Sequence, residues 1–156
     1  MLHLSCYLGA PVGMEIVYQL VTSFISSALF GFIFNSPIRQ LARCGFVGMS
    51  GWLAYYICIE LGLDVIPATL IAAFLVTVLS QLFAKLYKTP IIIFSVAGII
   101  PLVPGGLAYD AMRHVVEDQY DTAVQLGVKA FMISGAIAIG LIFSEVINQI
   151  IRRTAR

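Results

Sequence analysis

Between Glu15 and Arg39, between Asp64 and Lys85, and again between Lys88 and Asp110, the chain carries no charged side chain. Each run approaches the roughly 20 apolar residues that take a helix across about 30 Å of hydrocarbon. Composition agrees: 60% of residues are hydrophobic and 11% charged, where a soluble domain carries about 25% charged. An ordinary soluble enzyme and a disordered tail are both excluded. Nine Lys and Arg against eight Asp and Glu leave no basic excess for a nucleic acid. The expected fold is an all-α integral membrane protein, multi-pass in an inner or plasma membrane, with the lipid bilayer as its solvent.

The spacing of apolar residues predicts about five transmembrane helices: Ile16 to Phe34, Gly45 to Leu61, Val65 to Leu86, a short Pro90 to Pro104, and Val124 to Ile147. Residues 1–13 read as an N-terminal extension, with Met14 as an alternative start, and 152–156 as a basic cytoplasmic tail. Residues 14–151 form one transmembrane domain. A cleaved signal peptide fits poorly, since Glu15 and no basic residue precedes the first run. With the N-terminus outside and the C-terminus inside, Arg39, Arg43, Lys85, Lys88, Arg152, Arg153 and Arg156 all fall on the cytoplasmic side. Arg113 and Lys129 are then the only outer cations.

Small residues recur at helical spacing: Ser23, Ser27 and Gly31; Gly45, Gly48 and Gly51; Ala68 and Ala72; Ala136 and Gly140. Such stripes let backbones approach closely in lipid, within the chain or against another subunit, including a second copy. Cys6, Cys44 and Cys58 form no CxxC pair and read as small packing residues. His3 and His114 are the only histidines, so no metal site is expected. No catalytic constellation is visible either, so neither an enzyme nor a cofactor is expected.

The most informative stretch is Ile99-Ile100-Pro101-Leu102-Val103-Pro104-Gly105-Gly106. Two prolines three apart remove backbone donors and clash with the preceding turn, so no helix runs through unbroken. Leu107 to Tyr120 then has the pattern of an amphipathic helix, with Asp110, Arg113, His114, Glu117 and Asp118 on its polar side. Two readings stay open. The break lines a substrate cavity, with the helix N-terminus facing a carboxylate, or it simply ends the fourth span. Glu60, Asp110 and Glu145 are candidate proton carriers, against the plainer reading of solvated interface residues. Asn35 is expected to cap the inner end of the first span, next to Pro37 and Arg39. Phe34-Asn35-Ser36-Pro37 and Tyr87-Lys88-Thr89-Pro90 echo each other, through shared turn chemistry or old duplication.

Phe34-Asn35-Ser36-Pro37-Ile38-Arg39, then Cys44 and Gly48, resembles the front signature of the threonine/serine exporter family. Ile99 to Gly106, followed by Ala108-Tyr109-Asp110-Ala111-Met112, resembles its second and more specific signature. The similarity runs from about Met14 to Asn148 and corresponds to the C-terminal membrane half of full-length members. The resemblance implies export of threonine and serine by a secondary transporter using the proton gradient. It also implies a second membrane subunit carrying the other half. Some two-subunit relatives are associated with dicarboxylate export, notably succinate, and both substrate classes present a carboxylate. On motif and physics together, Asn35, Arg39, Pro101, Pro104, Gly105, Gly106, Tyr109 and Asp110 are the candidate substrate-binding residues. The rival reading is a non-transporting scaffold for the partner.

Overall fold

The computed structural model describes residues 12–154, with side chains from Met14 to Ile150. The N-terminal extension up to residue 11, with His3 and Cys6, lies outside the described residues, as do the side chains of the basic tail. The described elements are α1 (Val12–Ile33), α2 (Ile38–Glu60), α3 (Val65–Tyr87), α4 (Ile91–Ile99), a 3-10 turn (Ile100–Leu102), α5 (Gly105–Val116) and α6 (Tyr120–Thr154).

One device ends helix after helix. Asn35, Gly62, Lys88 and Asp118 all take a left-handed conformation just past a helix end. At three of them the amide three residues past the helix end reaches back five residues: Ser36 to Gly31, Leu63 to Cys58 and Gln119 to His114. Thr89 likewise reaches back five residues, to Ala84. This is the Schellman closure, which satisfies the last carbonyls of a helix. The echo between residues 34–37 and 87–90 is therefore one turn used twice. Each has a left-handed residue, one more residue, then a proline at nearly the same φ and ψ (Pro37 at −55° and 133°, Pro90 at −57° and 135°) capping the next helix.

Helix α2 is central, packing on α1, α3, α4 and the 3-10 turn. Helix α4 sits in the groove that α1, α2 and α3 form, and α6 packs on α3. The small-residue stripes are consumed within the chain. A Cβ on Gly48 would collide with the Ser27 hydroxyl, and one on Gly45 would stand 2.9 Å from the Phe24 carbonyl oxygen. Gly140 approaches the Leu70 carbonyl equally closely, at 2.9 Å for an added Cβ. Around these contacts Val47, Ala72, Ala73, Val76, Leu102, Ile133 and Ile137 form the core. Cys44, Phe94 and Ala97 make a second, smaller cluster where α4 meets α2.

Five spans are more than length and composition support. Met14–Ile33, Val65–Tyr87 and Tyr120–Ile150 are long and apolar enough to cross, giving 3, or 4 if the bent pair Ile91–Leu102 and Gly105–Val116 is one span. The expected second span lies on α2, which has the length but not the apolarity. Its burial explains this: Gln40, Cys44, Gly45, Gly48, Gly51 and Trp52 face other helices, where small and polar groups serve better than a lipid-facing coat. The expected fourth span contains only a helix of 9 residues, about 14 Å long, before the backbone breaks. The amphipathic helix starts at Gly105 and stops at Val116, earlier than Tyr120, because Asp118 turns left-handed. Helix α6 outruns its expected bounds at both ends and reaches 35 residues, about 52 Å.

Gly48→Leu is expected to abolish the monodisperse folded species in detergent, because overpacking costs roughly 1–3 kcal/mol even where neighbours yield. Gly127 has nothing within 4 Å of a built Cβ. Gly127→Ala should therefore raise stability by roughly 0.5–1 kcal/mol, as for a helix-interior glycine. Size-exclusion profiles and thermal melts of both variants check the pair.

Candidate functional site

The break lies at mid-bundle. Gly48 stands halfway along α2, and the Pro101 ring comes within 3.5 Å of the point where its Cβ would be. Ser27, on α1, meets the same spot and is fully buried. Leu102 sits in the main core while Val103 is exposed, so the chain leaves the core within one residue. Pro104 then caps α5, which sets off 50° from the direction of the preceding helix. The first hydrogen bond of α5 runs from the Ala108 amide to the Pro104 carbonyl, at 3.1 Å. The amides of Gly106 and Leu107 therefore precede the ladder and are free to meet a ligand or solvent.

Gly105 and Gly106 are exposed, and a Cβ on either would meet nothing within 4 Å. Neither has a positive φ, so nothing inside this chain requires glycine there. Tyr109 and Asp110, on the next turn, are exposed as well. Arg113 pairs with Glu117 at 2.8 Å and His114 approaches Gln119 at 3.0 Å, so the hydrogen bonds of both run toward the end of α5 and away from Asp110. Beyond its contact with α6, α5 has little support. Met112 and Val116 stand exposed beside Tyr109.

Asn35 and Arg39 are at one end of the bundle, half a helix from the break. Asn35 caps α1 in the left-handed form, as expected, and Arg39 is exposed. The structure thus does not gather the candidate substrate residues into one place. Glu60, in the last turn of α2, is exposed beside Tyr56, which Glu15 of α1 also approaches.

Glu145 is different. It is half-buried, and the Gln81 amide of α3 donates to its Oε2 at 3.2 Å. The same nitrogen reaches the Ser144 carbonyl at 3.3 Å and the Ser144 hydroxyl at 3.5 Å. Gln81 and Ser144 are both buried, so one amide ties α3 to α6 through three acceptors. Beside them opens a cleft of about 240 Å³ lined by Gln81, Ala84, Lys85, Thr89, Ile91, Glu145 and Asn148. Sequence reasoning passed over Lys85 as an orientation marker and missed Thr89 and Asn148. The available signal was helical phase: Gln81 and Lys85 are four apart, Glu145 and Asn148 three apart, and each pair shares a helix face. The cleft shares its end of the bundle with Arg39 and with Arg43, whose guanidinium stacks 3.3 Å above the Tyr87 ring centroid.

An apolar bundle with one helix broken at mid-depth and a polar cleft between two others has the build of a helical membrane transport protein. Comparison with known families makes that class specific. The family model described as Threonine/Serine exporter, ThrE, matches residues 19–147, and the chain belongs to that family. No solved structure matches it.

Gln81→Leu removes the shared amide. Interhelical hydrogen bonds in membranes average about 0.6 kcal/mol and reach about 1.7. With this tie between α3 and α6 gone, a loss within that range is expected, read as a lower unfolding midpoint in detergent.

Proposed function

We propose that this chain is one membrane subunit of a threonine/serine exporter-type secondary transporter, moving small carboxylate-bearing amino acids outward. It works with a second subunit carrying the other half of the exporter, and proton flow drives it. The observation that carries the reading is the mid-bundle break in a chain of this family. A half-helix that stops beside Gly48 and a second that leaves at an angle give a hinge and a free helix N-terminus at one depth.

The topology that goes with this reading has five crossings, the N-terminus outside and the C-terminus inside. Arg39, Arg43, Lys85 and Lys88 then mark the cytoplasmic end. Helix α2 crosses without a lipid-grade surface because α1, α3 and α4 shield it. Helices α4 and α5 together make the fourth crossing. Glu145 is the strongest of the three proton-carrier candidates, since it alone sits in an interhelical polar network. Asn35 and Arg39 act at the cytoplasmic mouth, and Tyr109 and Asp110 line the outer path. The unneeded glycines at 105 and 106 support close approach by substrate or partner. Succinate export is the second reading, since a dicarboxylate would meet the same free amides. A scaffold role is the third, and the exposed Tyr109, Met112 and Val116 favour it.

The test is efflux of preloaded, labelled threonine, serine and succinate from cells lacking their own exporters. Amino-acid efflux only when this chain and an other-half subunit are both present, collapsed by a protonophore, is the expected outcome. Succinate efflux alone would move the assignment to the second reading, and no efflux from inserted proteins to the scaffold. Gly105→Leu should insert and fold normally yet cut efflux at least tenfold, because its side chain meets nothing within the chain.

A further inference from the structure

The break gives no reason to prefer an amino acid to a dicarboxylate. The cleft at the cationic end does. Lys85 and Glu145 line it with opposite charges, and among the described residues no ion pair joins them. Two opposite charges that share a cleft without meeting leave room for a ligand that bears both. Glu145 already accepts the Gln81 amide on Oε2, which fixes the carboxylate and leaves Oε1 open. The Thr89 hydroxyl is buried and has no hydrogen-bond partner, although the residue lines the cleft. An unpaired buried hydroxyl is costly, and this one lies just behind the cleft wall. Ser36, its counterpart in the twin turn, has the same unpaired hydroxyl, so the turn explains the burial. What Thr89 has in addition is a cleft beside it lined by Lys85 of α3 and Glu145 of α6. Asn148 adds a further donor and acceptor.

Size points the same way. About 240 Å³ holds roughly eight water-sized volumes of about 30 Å³, below the range for drug-sized ligands. Ala84 and Ile91 supply the apolar part of the lining, suited to a short side chain.

We infer that the cleft lined by Gln81, Lys85, Thr89, Glu145 and Asn148 binds the zwitterion of a small α-amino acid, with the ammonium on Glu145 and the carboxylate on Lys85. This rests on the exporter reading above and adds its selectivity. A dicarboxylate placed on Lys85 would set its second carboxylate against Glu145, the only acidic side chain at this end of the bundle among the described residues. The surrounding Arg39, Arg43 and Lys88 attract anions without distinguishing them. Glu145 does the distinguishing.

The experiment is binding of labelled L-serine, with unlabelled succinate as competitor, to membranes holding the full chain together with its other-half subunit. Wild type should bind serine, and succinate should compete at least tenfold less well than unlabelled serine. Glu145→Gln should weaken serine at least tenfold while narrowing the gap to succinate, a change that loss of structure would not produce. Lys85→Gln, at an exposed position, should weaken both ligands. Ala84→Leu should fill the cleft and abolish binding. Serine binding within twofold of wild type in both charge variants overturns the site and leaves the exporter reading standing. Succinate bound in preference to serine overturns the zwitterion assignment. Absence of both serine binding and serine efflux overturns the exporter reading and the site together.

Discussion

The bundle depends on the glycine face of one helix. Helix α2 presents Gly45, Gly48 and Gly51 to its neighbours, and Phe24, Ser27 and Val76 come close enough that a methyl group at any of the three would collide. In lipid the hydrophobic effect does not drive helices together, so dispersion contacts from close backbone approach must do so. Glycine at the contact is the means. It explains why α2, which lacks an apolar coat for lipid, stands at the centre, and why α1, α3 and α4 can all reach it.

The break follows from the same contact. Pro101 packs beside Gly48, and Leu102 turns into the core next to Val47 and Val76. Had Gly48 carried a side chain, the half-helix would have no seat at that depth. Interrupted backbone in a membrane protein must be buried in protein or line a cavity. Here it is anchored on one side, through Pro101 and Leu102, and open on the other, through Val103, Gly105 and Gly106. An anchored half-helix joined to a loosely held one is a mechanically asymmetric hinge. Helix α5 has α6 as its one substantial partner within the chain, so it is the part with freedom to move.

Much of this was legible in the sequence. Charge-free runs located the helices because hydrocarbon length fixes how long an apolar run must be. The prolines at 101 and 104 located the break because a missing amide cannot be hidden. Small-residue spacing marked the contact faces, and Ser27, Gly48 and Gly140 all lie on them. The count of five spans is not confirmed by length and composition, for a specific reason. Hydropathy measures fitness for lipid, and α2 faces protein. The helix ends were equally hard to read, since Lys88 and Asp118 take the left-handed form that sequence assigns most readily to glycine. The candidate site was only half legible. Asn35 and Arg39 belong to the front signature and the break to the second, and in space the two lie half a helix apart.

That separation bears on how transport would run. A carrier needs its substrate to be accepted at one face and released at the other, and a single deep site does not by itself favour outward movement. The chain has two differently built places: a cleft lined by opposite charges at the cationic end, and a neutral break at mid-bundle whose first helical amides precede the ladder. Selectivity is best exercised where the ligand is still hydrated and can be rejected at little cost. Passage is best served by groups that bind any candidate weakly and alike. A cleft with Lys85 and Glu145 near water, followed by free amides near the middle, divides the two tasks in that order. The Gln81 amide links them mechanically, because it holds Glu145 on α6 while belonging to α3, against which α4 also rests. Occupation of the cleft would then bear on the same helix that seats the half-helix before the break.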